Sequence, residues 1–367
     1  MTDLKRTPFY ALEAEHQARF VPFAGYELPV TFEAGLMEEH HAVRRRVGVF
    51  DVSHMGEVVI DGKDALPAVQ WLVTNNVDVA AGKAVYTVMC VADGGIVDDL
   101  IVYREGEQSF FLCVNGACRH GDVAHIKEQA KRFDCRVRDL SDDWAQLAIQ
   151  GPKADLLLSD LSSHETATMP SFTFADAEVG GVKGVRIART GYTGEPGVEL
   201  YVKNGDAARL WRAMADAGKK HGLGYCGLGC RDTLRLEMKY PLYGNDIDRD
   251  HNPIEAGLAW VVKLKKGEFL GRAALQAAKT EGVTRQWVGF EMVGRGIPRQ
   301  HYEIHKNGAK VGEVTSGTHS PSLGRPIGCG YVPTALATVG SELDVVVRGK
   351  PVLARVVTTP FYKREQP

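Results

Sequence analysis

No stretch of this chain approaches the roughly 18 consecutive apolar residues of a membrane span, so no spanning helix is expected. Neither sign of charge dominates. Forty-four Lys and Arg face 46 Asp and Glu, mixed along the chain, and no basic stripe of the kind that grips a polyanion stands out. Nucleic acid is therefore not an expected partner. Cysteine is sparse: the seven at 90, 113, 118, 135, 226, 230 and 329 are scattered among apolar neighbours, as reduced buried thiols are. The spacing "CGLGC" (226–230) has no second Cys or His pair nearby, and no metal site is expected. The start, "MTDLKRTPFYALEAEH", has neither the apolar centre of a secretory signal nor the acid-poor, Arg-rich character of an organelle presequence. A cytoplasmic location follows, or the mitochondrial matrix had a presequence been removed. G-x-S-x-G and Walker-type loops are also missing. "GLGYCG" (222–227) fits a dinucleotide fingerprint letter for letter, but it follows a helix and no βαβ unit surrounds it. It reads as a helix cap and turn, and no flavin domain is expected.

What is present suits two or three domains: 367 residues, 44% hydrophobic and 25% charged. "AGLMEEHHAVRRRVGVFD" (34–51) has helical period, then "GEVVIDG" reads as a strand closed by an Asp-Gly turn. The helix "DALPAVQWLVT" follows, with Asp64 as its N-cap, and then three strands, "YTVMCVAD", "IVDDLIVY" and "SFFLCVN", and the helix "ACRHGDVAHIKEQAKRF". "EVVIDGKDALPAVQWL" and "VELYVKNGDAARLWRAM" share a strand-turn-helix plan, a hint of two related α+β halves. After the helix "FLGRAALQAAKTEG", residues 285–358 hold short Val-rich strands between turns, which predicts a separate β-barrel or jelly-roll domain. The expected division is 1–50 with 144–250, 51–143, a linking segment 251–284 and the β domain 285–367.

The stretch "GGIVDDLIV" (94–102) sets two carboxylates inside a strand. Hairpin pairing around Gly94-Gly95, and around Gly106 with a three- or five-residue loop that sets 103 opposite 109 and 99 opposite 113, gathers Tyr86, Val88, Cys90, Asp99, Ile101, Tyr103, Phe111, Cys113 and Asn115 on one face; an even-length loop would reverse the last strand. Asp98 falls on the opposite, apolar face, where it must bond backbone or a cation. Asn115 also suits the N-cap of the helix expected from Ala117.

Six motifs in order, "DVSHMGE" (51–57), "GGIVDDLIVY" (94–103), "RTGYTGEPGVEL" (189–200), "GLGCRDTLRLE" (227–237), "PLYGNDI" (241–247) and "EVTSGTHSPSLGRPIGCGYV" (313–332), resemble the aminomethyltransferase (T-protein) family of the glycine cleavage system. The resemblance spans the chain. It implies an α+β, three-domain cloverleaf, with two related α+β domains around a central cavity and a C-terminal β-barrel or jelly-roll. It also implies transfer of an aminomethyl carbon from lipoylated H-protein to tetrahydrofolate, with release of ammonia and no metal or flavin. The family's catalytic acid corresponds to Asp99, and its folate-binding positions to Met55, Tyr86, Asn115, Tyr192, Glu199, Arg231 and Tyr240. A monomer is implied as well. The other function carried is a catalytically dead folate-binding or scaffold member of the same superfamily.

Residue chemistry suits these roles. A carboxylate accepts two parallel N–H bonds from a pterin edge, as Glu199 would. A cation in a helix's first turn, such as Arg231, works against the helix dipole and is expected to turn toward a ligand or to form an interdomain salt bridge. For an acidic partner the sequence offers "HHAVRRR" (40–46), whose favoured reading is a solvated helix face, and equally Arg295 with Arg299.

Overall fold

The computed structural model describes residues 4–364 and builds the α+β chain on two larger sheets, a small N-terminal sheet and a closed barrel. The small sheet orders Lys5–Arg6, Tyr26–Thr31 and Arg19–Phe23. The six-stranded sheet runs Phe174–Val179, Val182–Ala188, Gly197–Lys203, Trp144–Gln150, Val47–Asp51 and Leu223–Tyr225. Its strand Gly197–Lys203 shows how a doubly buried strand divides its labour. Val198, Leu200 and Val202 point into an aliphatic core with Leu210, Trp211 and Met214 of the helix Ala207–Gly218. Glu199 and Tyr201 therefore point the other way.

Two sequence readings are corrected in this sheet. The helical pattern from 34 to 51 stops at Arg45, because Val47–Asp51 is a fully buried strand between Trp144–Gln150 and Leu223–Tyr225. β-branched and aromatic side chains there fit a pleated core better than a helix. In "GLGYCG", Gly222 caps the preceding turn in the left-handed region (φ 70°), as expected. Leu223–Tyr225, read as a turn, instead extends the sheet in parallel with Val47–Asp51.

The five-stranded sheet orders Ala84–Cys90, Ile96–Gly106, Ser109–Val114, Gly56–Asp61 and Arg136–Asp139. Both strand-turn-helix units predicted as a repeat form: Gly56–Asp61 with the helix Ala65–Leu72, and Gly197–Lys203 with Ala207–Gly218. The helix expected from Ala117 begins at Arg119, with Cys118 at the N-cap. Asn115 lies three residues before that cap, and its carbonyl accepts the Cys118 N–H.

Of the two forms open for the C-terminal domain, the closed barrel is the one formed. Its strands follow one another as Arg285–Met292, Arg325–Pro333, Ala309–Ser320, Glu303–Lys306, Glu342–Val347 and Lys350–Val356. Alternate residues such as Val288, Phe290, Met292, Val314, Val345 and Val356 fill it.

The chain divides into two compact units. One holds residues up to Gln70, Asn76–Tyr86 and Leu100–Asp232; the other holds Trp71–Asn75, Thr87–Asp99 and Thr233 onward. Among the described residues no helix is long and apolar enough to cross a membrane.

Candidate active site

Asp98 and Asp99 part company as strand alternation requires. Asp98 is fully buried and Asp99 is half-buried, on the side of its strand that also carries Ile101 and Tyr103. The pairing differs from the expected one by two residues: Tyr103 lies opposite Phe111, and Ile101 opposite Cys113. The turn is the two residues 107–108, an even loop that alone would reverse the faces, and a one-residue bulge between Arg104 and Gly106 restores an even net slip. An even slip preserves the faces, so the side assigned to Asp99 stands.

In the first unit, that side of the sheet is a cluster of Val59, Ala84, Tyr103, Phe111 and Cys113 with Ala188 and Tyr201, and Met55 packs against it. Tyr86 follows Ala84 by two along its strand and shares its side. Glu199 shares the face of Tyr201. Its partners on the neighbouring strands are Ala148 and Ala188, small enough to leave the carboxyl room. Thr190 donates to Glu199 Oε2, and the Tyr103 hydroxyl lies 3.4 Å from Thr190 Oγ1 and 3.0 Å from the Tyr201 hydroxyl. Burial raises the Glu199 pKa above the usual carboxylate range, against the opposing pull of the Thr190 hydrogen bond and the Arg231 charge.

Arg231 stands in the first turn of the helix Leu228–Glu237 and makes no ion pair among the described residues, so the salt-bridge reading does not hold. Its guanidinium carbon lies 4.7 Å from the centre of the Tyr192 ring. His54, inside "DVSHMGE", is buried and its Nδ1 has no partner. Burial first, then the Arg231 charge, lowers its pKa to about 3, so the ring is neutral at physiological pH. A face thus collects a carboxylate, a guanidinium, three tyrosines and a neutral imidazole. Sequence reasoning named Glu199, Arg231, Tyr192 and Met55 in this group, but missed Thr190 and His54. Thr190 carried one signal, its place nine residues before Glu199 across the Gly-rich loop.

In the second unit, the tip that leads into Asp98 and Asp99 is seated on residues 243–251. The Ile96 N–H donates to the carbonyls of Asp248 and His251, and the Tyr243 hydroxyl donates to the Ile96 carbonyl. A side chain at Gly95 would put its Cβ 2.1 Å from the Arg249 carbonyl oxygen, which is why only glycine fits. Tyr240 follows the same helix, its backbone held at both ends by Arg235. Arg235 pairs with Asp246 at 2.5 Å and donates to Ser316 Oγ at 2.8 Å, while Thr315 donates to the other Asp246 oxygen. Thr315 and Ser316 are neighbours that would ordinarily face apart. A bulge between Val314 and Ser316 turns both to this network.

The residues expected to be polar site walls, Met55, Tyr86, Asp99, Asn115, Tyr192, Arg231 and Tyr240, are all half-buried, and Glu199 is 7% exposed. Asp99 and Tyr240 belong to the second unit and the others to the first. The basic stretch at 40–46 is only partly at the surface: Arg45 is exposed and His41 and Arg46 are half-buried, but His40 is fully buried and Arg44 is paired with Glu195 at 2.9 Å in the interior. Cys226 and Cys230 are buried free thiols, Cys226 donating to the Glu39 carbonyl.

Two such sheets followed by a closed barrel define a two-part class of α+β protein, and family models match both parts. The GCVT N-terminal domain matches residues 9–266 and the glycine cleavage T-protein C-terminal barrel domain matches residues 285–363. The chain belongs to the glycine cleavage T-protein family. It is 46% identical over 366 residues to an aminomethyltransferase of Desulfitobacterium hafniense (strain Y51), with both chains covered in full. It is also 46% identical to the aminomethyltransferase of Bacillus subtilis (strain 168), covering 98% of this chain and 100% of that one. Among solved structures, the glycine cleavage system aminomethyltransferase T of Bartonella henselae superposes with a TM-score of 0.92 at 32% identity, covering 98% of this chain and 99% of that one.

Proposed function

We propose that this protein transfers the aminomethyl carbon of aminomethyl-dihydrolipoyl H-protein to tetrahydrofolate, giving 5,10-methylenetetrahydrofolate, ammonia and dihydrolipoyl H-protein. Two bonds of the carbon break, to sulfur and to the amine nitrogen, and two form, to N5 and N10 of the folate. The two protons that leave N5 and N10 go to ammonia and to the thiol. Tetrahydrofolate supplies the two nitrogen nucleophiles; the chain must hold it, shield it and manage those charges.

The observation that carries this reading is Glu199: an enclosed carboxylate on a sheet face cleared by two alanines, beside a guanidinium that makes no ion pair among the described residues. A pterin edge presents parallel N–H donors to such a group. Met55, Tyr86, Asn115, Tyr192, Arg231 and Tyr240 line the folate, with the aromatic rings against its flat faces. Asp99 is the catalytic acid residue, a fixed negative charge that stabilises the cation building on the transferred carbon and orders the departing N10 proton. No metal or flavin takes part, the partner is lipoylated H-protein, and the enzyme works as a cytoplasmic monomer. The three domains are 1–50 with 144–250, 51–143, and 285–367 joined by 251–284.

The raised pKa of Glu199 has a direction that tests this. Glu199 must be ionised to accept two N–H bonds, so the Kd for tetrahydrofolate rises as pH falls through its raised pKa. In Glu199→Gln, calorimetry is expected to find weak binding that no longer changes over that window. For the ligand-free protein the sign is opposite. A folded-state pKa above the unfolded one favours the fold only at low pH and loses that contribution as pH rises through it, so Glu199→Gln is expected to be slightly more stable than wild type at pH 7. Equal pH profiles for the two proteins in folate binding would remove Glu199 from the site.

A further inference from the structure

The loop "TGYTGEPG" (190–197) carries Tyr192, begins at the Thr190 that bonds Glu199, and has no regular secondary structure of its own. Something must hold it. The side chain beneath it is Gln150, the last residue of the strand Trp144–Gln150 and fully buried. Its Nε2 donates to the carbonyls of Thr190 at 3.2 Å and Val198 at 3.1 Å, and its Oε1 accepts the Thr193 hydroxyl at 3.0 Å. Only an amide meets this demand. Two carbonyls need a donor and a hydroxyl needs an acceptor on one side chain, which excludes Glu, Met and Leu. The loop also lies directly on the amide, since a Cβ at Gly191 would stand 2.1 Å from Gln150 Oε1 and one at Gly197 2.8 Å from Nε2. From the far side Arg44 donates to the Thr193 carbonyl at 2.7 Å and to Glu195 Oε1 at 2.9 Å. Tyr192 is thus the one residue of 190–193 left to reach outward, and its ring meets the Arg231 guanidinium.

We infer that Gln150 is a positioning residue for the folate site: it sets Tyr192 over Arg231, and Thr190 on Glu199, by fixing the backbone between them. Its amide touches no ligand. This rests on the folate reading above. Tyr192 and Glu199 both take their places from this backbone, so loosening it weakens folate contacts although Gln150 lies outside the contact shell.

The test is Gln150→Met, which keeps the length and removes all the amide bonds, with Thr193→Val as a second variant that removes the hydroxyl at constant shape. Tetrahydrofolate Kd by calorimetry and KM against kcat are measured on the folded fraction, together with Tyr192→Ala and the double variant Gln150→Met/Tyr192→Ala. The expected result for Gln150→Met is a Kd and KM about 10- to 100-fold higher, the loss of about one charge-assisted contact, with kcat at saturating folate within about threefold of wild type. Thr193→Val should move the same way by less, and should decide the matter if Gln150→Met does not fold. The double variant should bind more tightly than the product of the two single losses predicts, because Gln150 acts in part through Tyr192. Unchanged Kd and KM in the folded variants, with only a lower melting temperature, would overturn the inference while leaving the folate reading intact. Failure of the wild-type protein to bind tetrahydrofolate would overturn both.

Discussion

Asp99→Asn is expected to lower turnover with saturating tetrahydrofolate and aminomethyl-loaded H-protein by about 100- to 10,000-fold, the range that a positioned acid or base contributes. The substitution keeps the shape and removes the charge, so a developing cation loses its counter-charge while folate contacts made elsewhere persist. In activation terms the loss is about 2.7 to 5.5 kcal/mol. Folding should be nearly untouched, because Asp99 is half-buried, whereas Asp98 on the other side of the strand is fully buried. Asp98→Asn is therefore expected to act through stability, with turnover per folded molecule close to wild type. Steady-state kinetics alongside thermal melts separate the two. Asp99→Asn turnover within about threefold of wild type would refute the assignment.

The second large effect lies in the network around Asp246. Arg235 and Asp246 are 2% and 0% exposed, and Asp246 also accepts the Leu242 N–H and the Thr315 hydroxyl. Removing one partner of a buried pair leaves the other charge without compensation, at a cost of about 3 to 5 kcal/mol. Asp246→Ala is expected to destabilise by that amount in denaturant unfolding. That is a large part of the 5 to 15 kcal/mol that typically holds a domain together. Asp246→Asn keeps acceptors for Leu242 and Thr315 and should recover part of the loss. The functional consequence follows from position: Arg235 also holds the backbone of Tyr240, so folate affinity should fall with stability. A loss below about 1 kcal/mol in Asp246→Ala would show that the pair is not the anchor of this segment.

Alternation was the part of the structure most legible from residues alone. It separated Asp99 from Asp98, and the face shared with Phe111 and Cys113 survived an even-length turn only because the bulge after Arg104 brought the net slip to two. The barrel was legible from its short Val-rich strands. Hidden from a linear reading were features set by partners distant in sequence. Val47–Asp51 looks helical by continuation and becomes a strand because Trp144–Gln150 and Leu223–Tyr225 flank it. "HHAVRRR" reads as a charged surface, yet Arg44 turns inward to meet Glu195, 151 positions away. Likewise no local pattern announces that Gln150 supports a loop 40 residues on, or that bulges beside Thr315 and after Arg104 re-aim the chain. The proposed site positions came from the family resemblance of the motifs, and a few of them are also conspicuous as types: a carboxylate pair in a strand and an Arg in a helix's first turn.

The central claim is transfer of the aminomethyl carbon to tetrahydrofolate. Its most direct measurement is ammonia release from aminomethyl-loaded H-protein by the wild-type chain, with and without tetrahydrofolate, while 5,10-methylenetetrahydrofolate is quantified in the same reaction. The account predicts folate-dependent release of ammonia and methylenetetrahydrofolate in equal amounts. Binding of tetrahydrofolate with no ammonia released above the protein-free rate would contradict it, and would make this chain a folate binder without catalysis.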